Sequence, residues 1–153
     1  MNRRRFLNTM LTIAAPVAAG LRLSAAAGPS VQVYKTPTCG CCGNWVKHLR
    51  DKGFQVAVQE VEETASYRRK FGVPEALASC HTAVVGGYAL EGHVPAAEIQ
   101  RLLKEKPKAK GLSVPGMPVG SPGMEMGGAQ QAYSVMLFDA QGAATVYQRY
   151  PGR

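Results

Sequence analysis

The chain has 153 residues, 46% apolar and 18% charged, enough to bury one core of ordinary size and too apolar for a chain disordered by composition. Its formal charge of +8 misleads, because four arginines and no acids lie in the first 27 residues, and the other 126 carry 14 basic and 10 acidic groups. No basic–aromatic cluster remains there beyond the Lys104–Lys110 run, which argues against a nucleic-acid partner, and the absence of period-three glycine and of sustained heptads excludes collagen and coiled coils.

Residues 1–27 have the three-part layout of an export signal: basic Asn2–Asn8, an apolar run from Met10 to Leu23, and small Ala25-Ala26-Ala27. The apolar run is about 14 residues long and holds Pro16, Gly20 and Arg22, so it is a poor span for about 30 Å of hydrocarbon. An uncleaved helical anchor is the alternative. Arg3-Arg4 followed by Arg5-Phe6-Leu7 resembles a twin-arginine signal, which exports folded proteins. The expectation is a periplasmic protein, monomeric and without a membrane anchor after processing.

Val31–Tyr34 reads as a strand ending at Thr36-Pro37, and the cysteine segment follows it. Asn44–Lys52 predicts a helix with Trp45, Val46 and Leu49 on one face, Cys42 at its start and His48 on the solvated side. Gly53 is its stop. Phe54–Val61 alternates as a strand does, Thr64 is placed to cap a helix running to Phe71, and Gly72-Val73-Pro74 breaks it. Thr82–Val85, Gly86-Gly87 and Tyr88–Leu90 predict a hairpin. Pro95 opens a helix at its first position, with Ile99, Leu102 and Leu103 inside and Glu98, Gln100, Arg101 and Lys104 outside.

That order, β-α-β-α-β-β-α, predicts an α/β, thioredoxin-like domain over residues 28–106. Residues 107–153 read as an extension packed on it. A loop with many glycines, prolines and methionines comes first, then two strands, Tyr133–Phe138 and Ala144–Tyr150, joined through Asp139–Gly142.

Three of the four cysteines fall within four residues, Cys39-Gly40-Cys41-Cys42, directly after a strand and at the start of a helix. Free backbone N–H groups and the helix dipole favour a thiolate there. Cys41 is a liability in a disulfide exchanger, since it invites scrambling, and an asset for a soft metal ion. Cys80-His81 precedes the third strand, on a loop that in this topology lies across from the C-x-x-C, so a fourth sulfur and an imidazole are expected to face the other three. His93 sits in the loop before the last helix, on the same side, and reads equally as a ligand or as a surface residue. Two structural disulfides and a structural zinc site are the competing readings.

Met117, Met124 and Met126 lie in a segment stiffened by Pro115, Pro118 and Pro122, without the periodicity a core would use. Thioethers suit Cu(I), and this loop is placed to offer Met117 and Met124 to the cysteines. Lid or packing residues are the alternative, more so for Met126.

Val33–Trp45, Ser79–Thr82, Glu91–Pro95 and Val114–Glu125 together resemble the CopG-type periplasmic family, over about residues 31–150. The resemblance implies a thioredoxin-like domain with an extension that contributes to metal binding, and a place in bacterial copper resistance. It also implies copper held by Cys39, Cys41 and Cys42, as a cysteine-bridged cluster interconverting Cu(I) and Cu(II). The expected metal ligands are thus Cys39, Cys41, Cys42, Cys80, His81, His93, Met117 and Met124, with copper favoured over zinc. Expected partners are copper ions and copper-efflux or other periplasmic copper-handling proteins. A thiol–disulfide oxidoreductase using Cys39 as nucleophile and Cys42 as resolving thiol is the reading from another class. A passive copper carrier is a third.

Overall fold

The alternating apolar residues of Val31–Val33 and Ala83–Val85 build the middle of one mixed sheet. A computed structural model describes residues 28–153; the expected export segment, 1–27, lies outside them. The elements run β1 (Ser30–Lys35), α1 (Gly40–Asp51), β2 (Gln55–Glu60), α2 (Ala65–Lys70), a 3₁₀ turn at Glu75–Leu77, β3 (Thr82–Val85), β4 (Tyr88–Glu91), α3 (Ala96–Glu105), β5 (Gly111–Ser113), β6 (Tyr133–Phe138) and β7 (Ala144–Tyr150). The first seven named strands and helices follow the expected order, and the protein is of the α/β class. All seven strands join in one sheet, ordered β2-β1-β3-β4-β5-β6-β7. The β1–β2 and β4–β5 pairs are parallel and the others antiparallel.

Side chains alternate across a strand, so each sheet face has its own core. Val31, Val33, Ala83, Val85, Leu90 and Leu112 face α1 and α3, where Trp45, Val46, Leu49, Ile99 and Leu102 meet them. Each large side chain buried there contributes about 1.5–3 kcal/mol. On the other face Ala89 and Phe138 pack with Val73 and Leu77, and Tyr34 stacks on Tyr67 of α2 at 4.2 Å between ring centroids.

Several local expectations are corrected. Helix α1 begins at Gly40 rather than Asn44, which places Cys41 and Cys42 inside its first turn and Cys39 at its N-cap. Thr64 precedes α2 without a side-chain capping bond; the Glu63 carboxylate accepts from Ser66 N–H instead. Pro95 is the N-cap of α3, not its first residue. Strand β2 is an edge strand with Val58 38% exposed, so its alternation buries little. Glu98 is buried, because the extension covers it and Tyr150 donates a 2.8 Å hydrogen bond to its carboxylate.

Strand β5 has no counterpart among the expected elements. Its three residues are fully buried, and Gly111 is required there, since a Cβ would collide with the Ala89 carbonyl of β4. Through β5 the hairpin β6–β7 continues the sheet of the first four strands. No described helix is long and apolar enough to cross a membrane.

Candidate metal centre

Strand β1 ends at Lys35, just before Thr36-Pro37, and α1 begins at Gly40 with the apolar stripe Cys42-Trp45-Val46-Leu49 on its buried face. The chain therefore delivers its three clustered cysteines to a helix N-terminus, where backbone N–H groups lack intrahelical partners and negative charge is favoured. Cys39 and Cys42 are joined by a disulfide, while Cys41 and Cys80 are free. Cys41 Sγ lies 3.6 Å from Cys39 Sγ.

The irregular segment before β3 brings in the fourth sulfur. The sulfurs of Cys39, Cys41, Cys42 and Cys80 all lie within 4.8 Å of one another, a cluster able to hold a metal ion. Cys80 also belongs to a second group: its Sγ is 3.1 Å from His93 Nε2 and 3.3 Å from His81 Nδ1. It is the one residue common to the four-sulfur set and the sulfur–imidazole set.

Both imidazoles are fully buried. The Trp45 ring covers His81 at 4.4 Å between centroids, and His81 is pushed down to about 3 by burial, then by His93 and Lys35. His93 is lowered by burial too, against the Pro122 carbonyl and Glu125. Burial, with Cys41 beside it, pushes the Cys80 thiol up to about 12. Low imidazole pKa values keep nitrogen lone pairs free for a metal rather than for protons. His81 Nε2 is the one buried side-chain nitrogen or oxygen among the described residues without a hydrogen-bond partner. The nitrogen of that ring which faces Cys80 Sγ is Nδ1, and the donor set of soft sulfurs and neutral imidazoles is what fits a metal ion.

The Gly- and Pro-rich loop closes over this group. Gly123 has φ +88°, and a Cβ on it would stand 2.8 Å from the Cys41 carbonyl oxygen and 2.7 Å from Trp45 N. Glycine therefore lets the loop lie directly on the first turn of α1. Its neighbour Pro122 accepts a 2.8 Å hydrogen bond from His93 Nδ1, and Glu125 accepts one from Gly123 N–H at the same distance. Of the methionines on this loop, Met124 is half-buried, whereas Met117 and Met126 are 52% and 66% exposed. The structure thus gathers Cys39, Cys41, Cys42, Cys80, His81 and His93, and leaves Met117 facing water over half its surface.

Four supporting residues take roles that the sequence reading does not assign them. His48 is half-buried rather than solvated, and its Nε2 accepts a 3.1 Å bond from Ala96 N–H at the start of α3. Trp45 Nε1 donates to the Val94 carbonyl at 2.8 Å. Glu91 and Arg68 form a buried ion pair next to the Cys80 segment. Each acts between residues more than twenty positions apart, a separation that leaves no local pattern. The buried Glu91 inside an otherwise apolar strand is the one available signal.

A family model described as "Protein of unknown function, DUF411" matches residues 77–124, which span Cys80, the two buried histidines, Met117 and Met124. No curated protein matches the chain. Among solved structures, "Copper resistance protein copG", Form 2, is 44% identical with a TM-score of 0.78, covering 81% of this chain and 99% of that one. Form 1 is 46% identical with a TM-score of 0.77, covering 80% and 98%.

Proposed function

The chain belongs to the family of the copper resistance protein CopG, and on that premise we propose that its cysteine–histidine centre binds copper and carries it between Cu(I) and Cu(II), with one electron per ion passed to or from an external redox partner. The single observation that carries this reading is the placement of Cys80 in both donor sets, four sulfurs on one side and two imidazoles on the other. Thiolates are the soft donors Cu(I) prefers, and imidazole suits Cu(II) as well. A centre offering both satisfies neither oxidation state fully, which eases passage between them. Thiolate sulfur bridges metal ions, so Cys80 and the triple-cysteine turn favour more than one copper ion.

In this reading Cys39, Cys41, Cys42 and Cys80 supply sulfur, His81 and His93 supply nitrogen, and Met124 is the better placed of the two loop thioethers, with Met117 second. The loop through Gly123 excludes water from the loaded centre. Residues 1–27 act as an export segment, 28–106 as a thioredoxin-like unit and 107–153 as the extension that closes over the metal. The compartment is the periplasm, where the protein serves copper resistance as a monomer, with copper-handling proteins receiving or supplying the ion.

Metal analysis and X-ray absorption on the reduced, copper-loaded protein test the proposal. Sulfur and nitrogen scatterers around copper, with sulfur lost in Cys39→Ser, are expected. Protein that ignores copper while holding zinc firmly would overturn it.

The Cys39–Cys42 disulfide at the tip of α1 supports a second reading, a thiol–disulfide oxidoreductase. Disulfide reduction that needs Cys39 and Cys42, tolerates Cys41→Ser and is indifferent to copper would favour it. The proposed centre predicts that Cys41→Ser damages copper binding.

A further inference from the structure

Cys80 lies in a segment with no regular structure of its own, between the 3₁₀ turn and β3, with Ser79 before it and His81 and Thr82 after it. Backbone groups in such a segment have no ladder or helix partners and must be satisfied by something else. The Ala78 and His81 carbonyls accept from Gly116 and Gly92 N–H, and a buried ion pair serves Ser79. Glu91 of β4 is fully buried, and its Oε1 accepts from Ser79 N–H at 2.8 Å and from Arg68 Nε at 3.0 Å. Its Oε2 accepts from the Thr82 hydroxyl at 2.6 Å. Arg68 of α2 returns through Nη2 to the Ser79 carbonyl at 3.0 Å, and its Nη1 reaches Glu75 at 3.1 Å. Both backbone groups of Ser79 and the side chain of Thr82 are therefore gripped by one carboxylate–guanidinium pair. The Ser79 hydroxyl donates to the Gly116 carbonyl, which ties the same residue to the start of the Gly- and Pro-rich loop.

We infer that Arg68 and Glu91 are positioning residues for Cys80: they hold the Ser79 backbone before it and the Thr82 side chain after it, so that its sulfur stands against His93 and the triple-cysteine turn at once. The inference takes its purpose from the metal-centre reading above, but the geometry it asserts holds in the metal-free protein. A carboxylate is suited to this task because it accepts several bonds at once, and a guanidinium because its fork spans more than one acceptor. Hydrogen bonds to ionised partners are the strong ones in a dry interior. A purely structural pair would tie α2 to the sheet and leave Cys80 unaffected by its loss.

The test is Glu91→Gln, which keeps the size of the side chain and removes its charge, read in two arms. In metal-free protein with Cys39 and Cys42 oxidised and Cys41→Ser in the background, Cys80 is the only free thiol, and its alkylation by iodoacetamide reports its placement. Glu91→Gln is expected to raise that rate at least tenfold under conditions where circular dichroism shows the fold intact. In reduced protein titrated with Cu(I) against a chelator, Glu91→Gln is expected to weaken binding about tenfold, and in a Cys80→Ser background the same substitution is expected to cost little more, since residues acting as one unit are not additive. An unchanged alkylation rate in the folded variant, or full additivity with Cys80→Ser, overturns the inference. Wild-type protein that binds no copper overturns the metal-centre reading instead, and the alkylation arm still decides the positioning role. Should Glu91→Gln not fold, Arg68→Lys keeps the charge, loses the fork and is judged by the same outcomes.

Discussion

His93 Nδ1 stands 2.8 Å from the carbonyl oxygen of Pro122, and that contact settles which ring nitrogen is free. A carbonyl only accepts, so Nδ1 carries the proton and the neutral ring turns its lone pair at Nε2 toward Cys80 Sγ, 3.1 Å away. The loop thus does more than cover the centre: it sets the tautomer of one proposed ligand.

Gly123 is where that arrangement is most easily broken. Gly123→Ala puts a methyl group against Trp45 N and the Cys41 carbonyl at a φ of +88°, so the loop must lift. The expected cost is about 1–3 kcal/mol of stability, with His93 freed from Pro122. Gly127→Ala is the control, since φ is also positive (+67°) but no atom lies within 4 Å of the added carbon. It is expected to lower Tm modestly and leave copper affinity unchanged. Thermal melts and Cu(I) titrations of the two variants give the comparison; equal effects on copper binding would refute the role assigned to the loop.

Trp45 is the only tryptophan of the chain and its ring rests on His81 at 4.4 Å, which makes it a built-in probe of the centre. Cu(II) held by His81 is expected to quench its fluorescence, and His81→Ala to remove most of the quenching while Met117→Leu leaves it intact. Trp45→Phe deletes the donor to the Val94 carbonyl, a buried acceptor on the residue next to His93, at about 1–3 kcal/mol. A Tm unchanged by Trp45→Phe would count against that bond as a support for the loop carrying His93.

Much of this was legible from local pattern. Thr82–Val85, Gly86-Gly87 and the two strands of the last hairpin fall where alternation and turn residues put them, because strand–turn–strand signals are short-range. The cysteine motif announced itself by spacing alone. The placement of Cys80 followed from topology, since a strand order fixes which loops share an end of the sheet. What stayed hidden is carried by long-range contacts. Strand β5 is three residues long and owes its existence to neighbours on both sides. His48 looks solvated on a helical wheel and is recruited by Ala96, and Glu98 looks exposed until Tyr150 covers it.

The Cys39–Cys42 disulfide and the free Cys41 and Cys80 make the donor count depend on redox state. A disulfide sulfur is a poor metal ligand, since the thiolate is the binding form. Reduction is therefore expected to raise the copper bound per chain at least twofold over protein oxidised before loading. Metal analysis after desalting of the two preparations measures this. Equal loading of both would show that Cys41, Cys80 and the histidines suffice, and would remove Cys39 and Cys42 from the ligand set.

Acid should loosen the metal-free protein through its histidines. His48 is lowered from its ordinary value by burial, with Lys52 acting in the same sense and Glu125 and Asp51 opposing. His81 is held lower still, near 3, by burial. A histidine whose folded pKa lies below its unfolded value binds its proton more readily in the unfolded chain. Its contribution to stability is complete above about pH 6.5 and is lost as pH falls toward the folded pKa. For His48 the structural reason is direct, because protonation of Nε2 removes the acceptor that holds Ala96 N–H at the start of α3. Urea unfolding of metal-free protein at pH 7.5, 6 and 5 is expected to show a stability that drops with each step. His48→Gln keeps an acceptor but cannot titrate, so its decline over the same range is expected to be shallower. A wild-type stability that stays flat or rises between pH 7.5 and 5 contradicts the burial of these imidazoles in their neutral form.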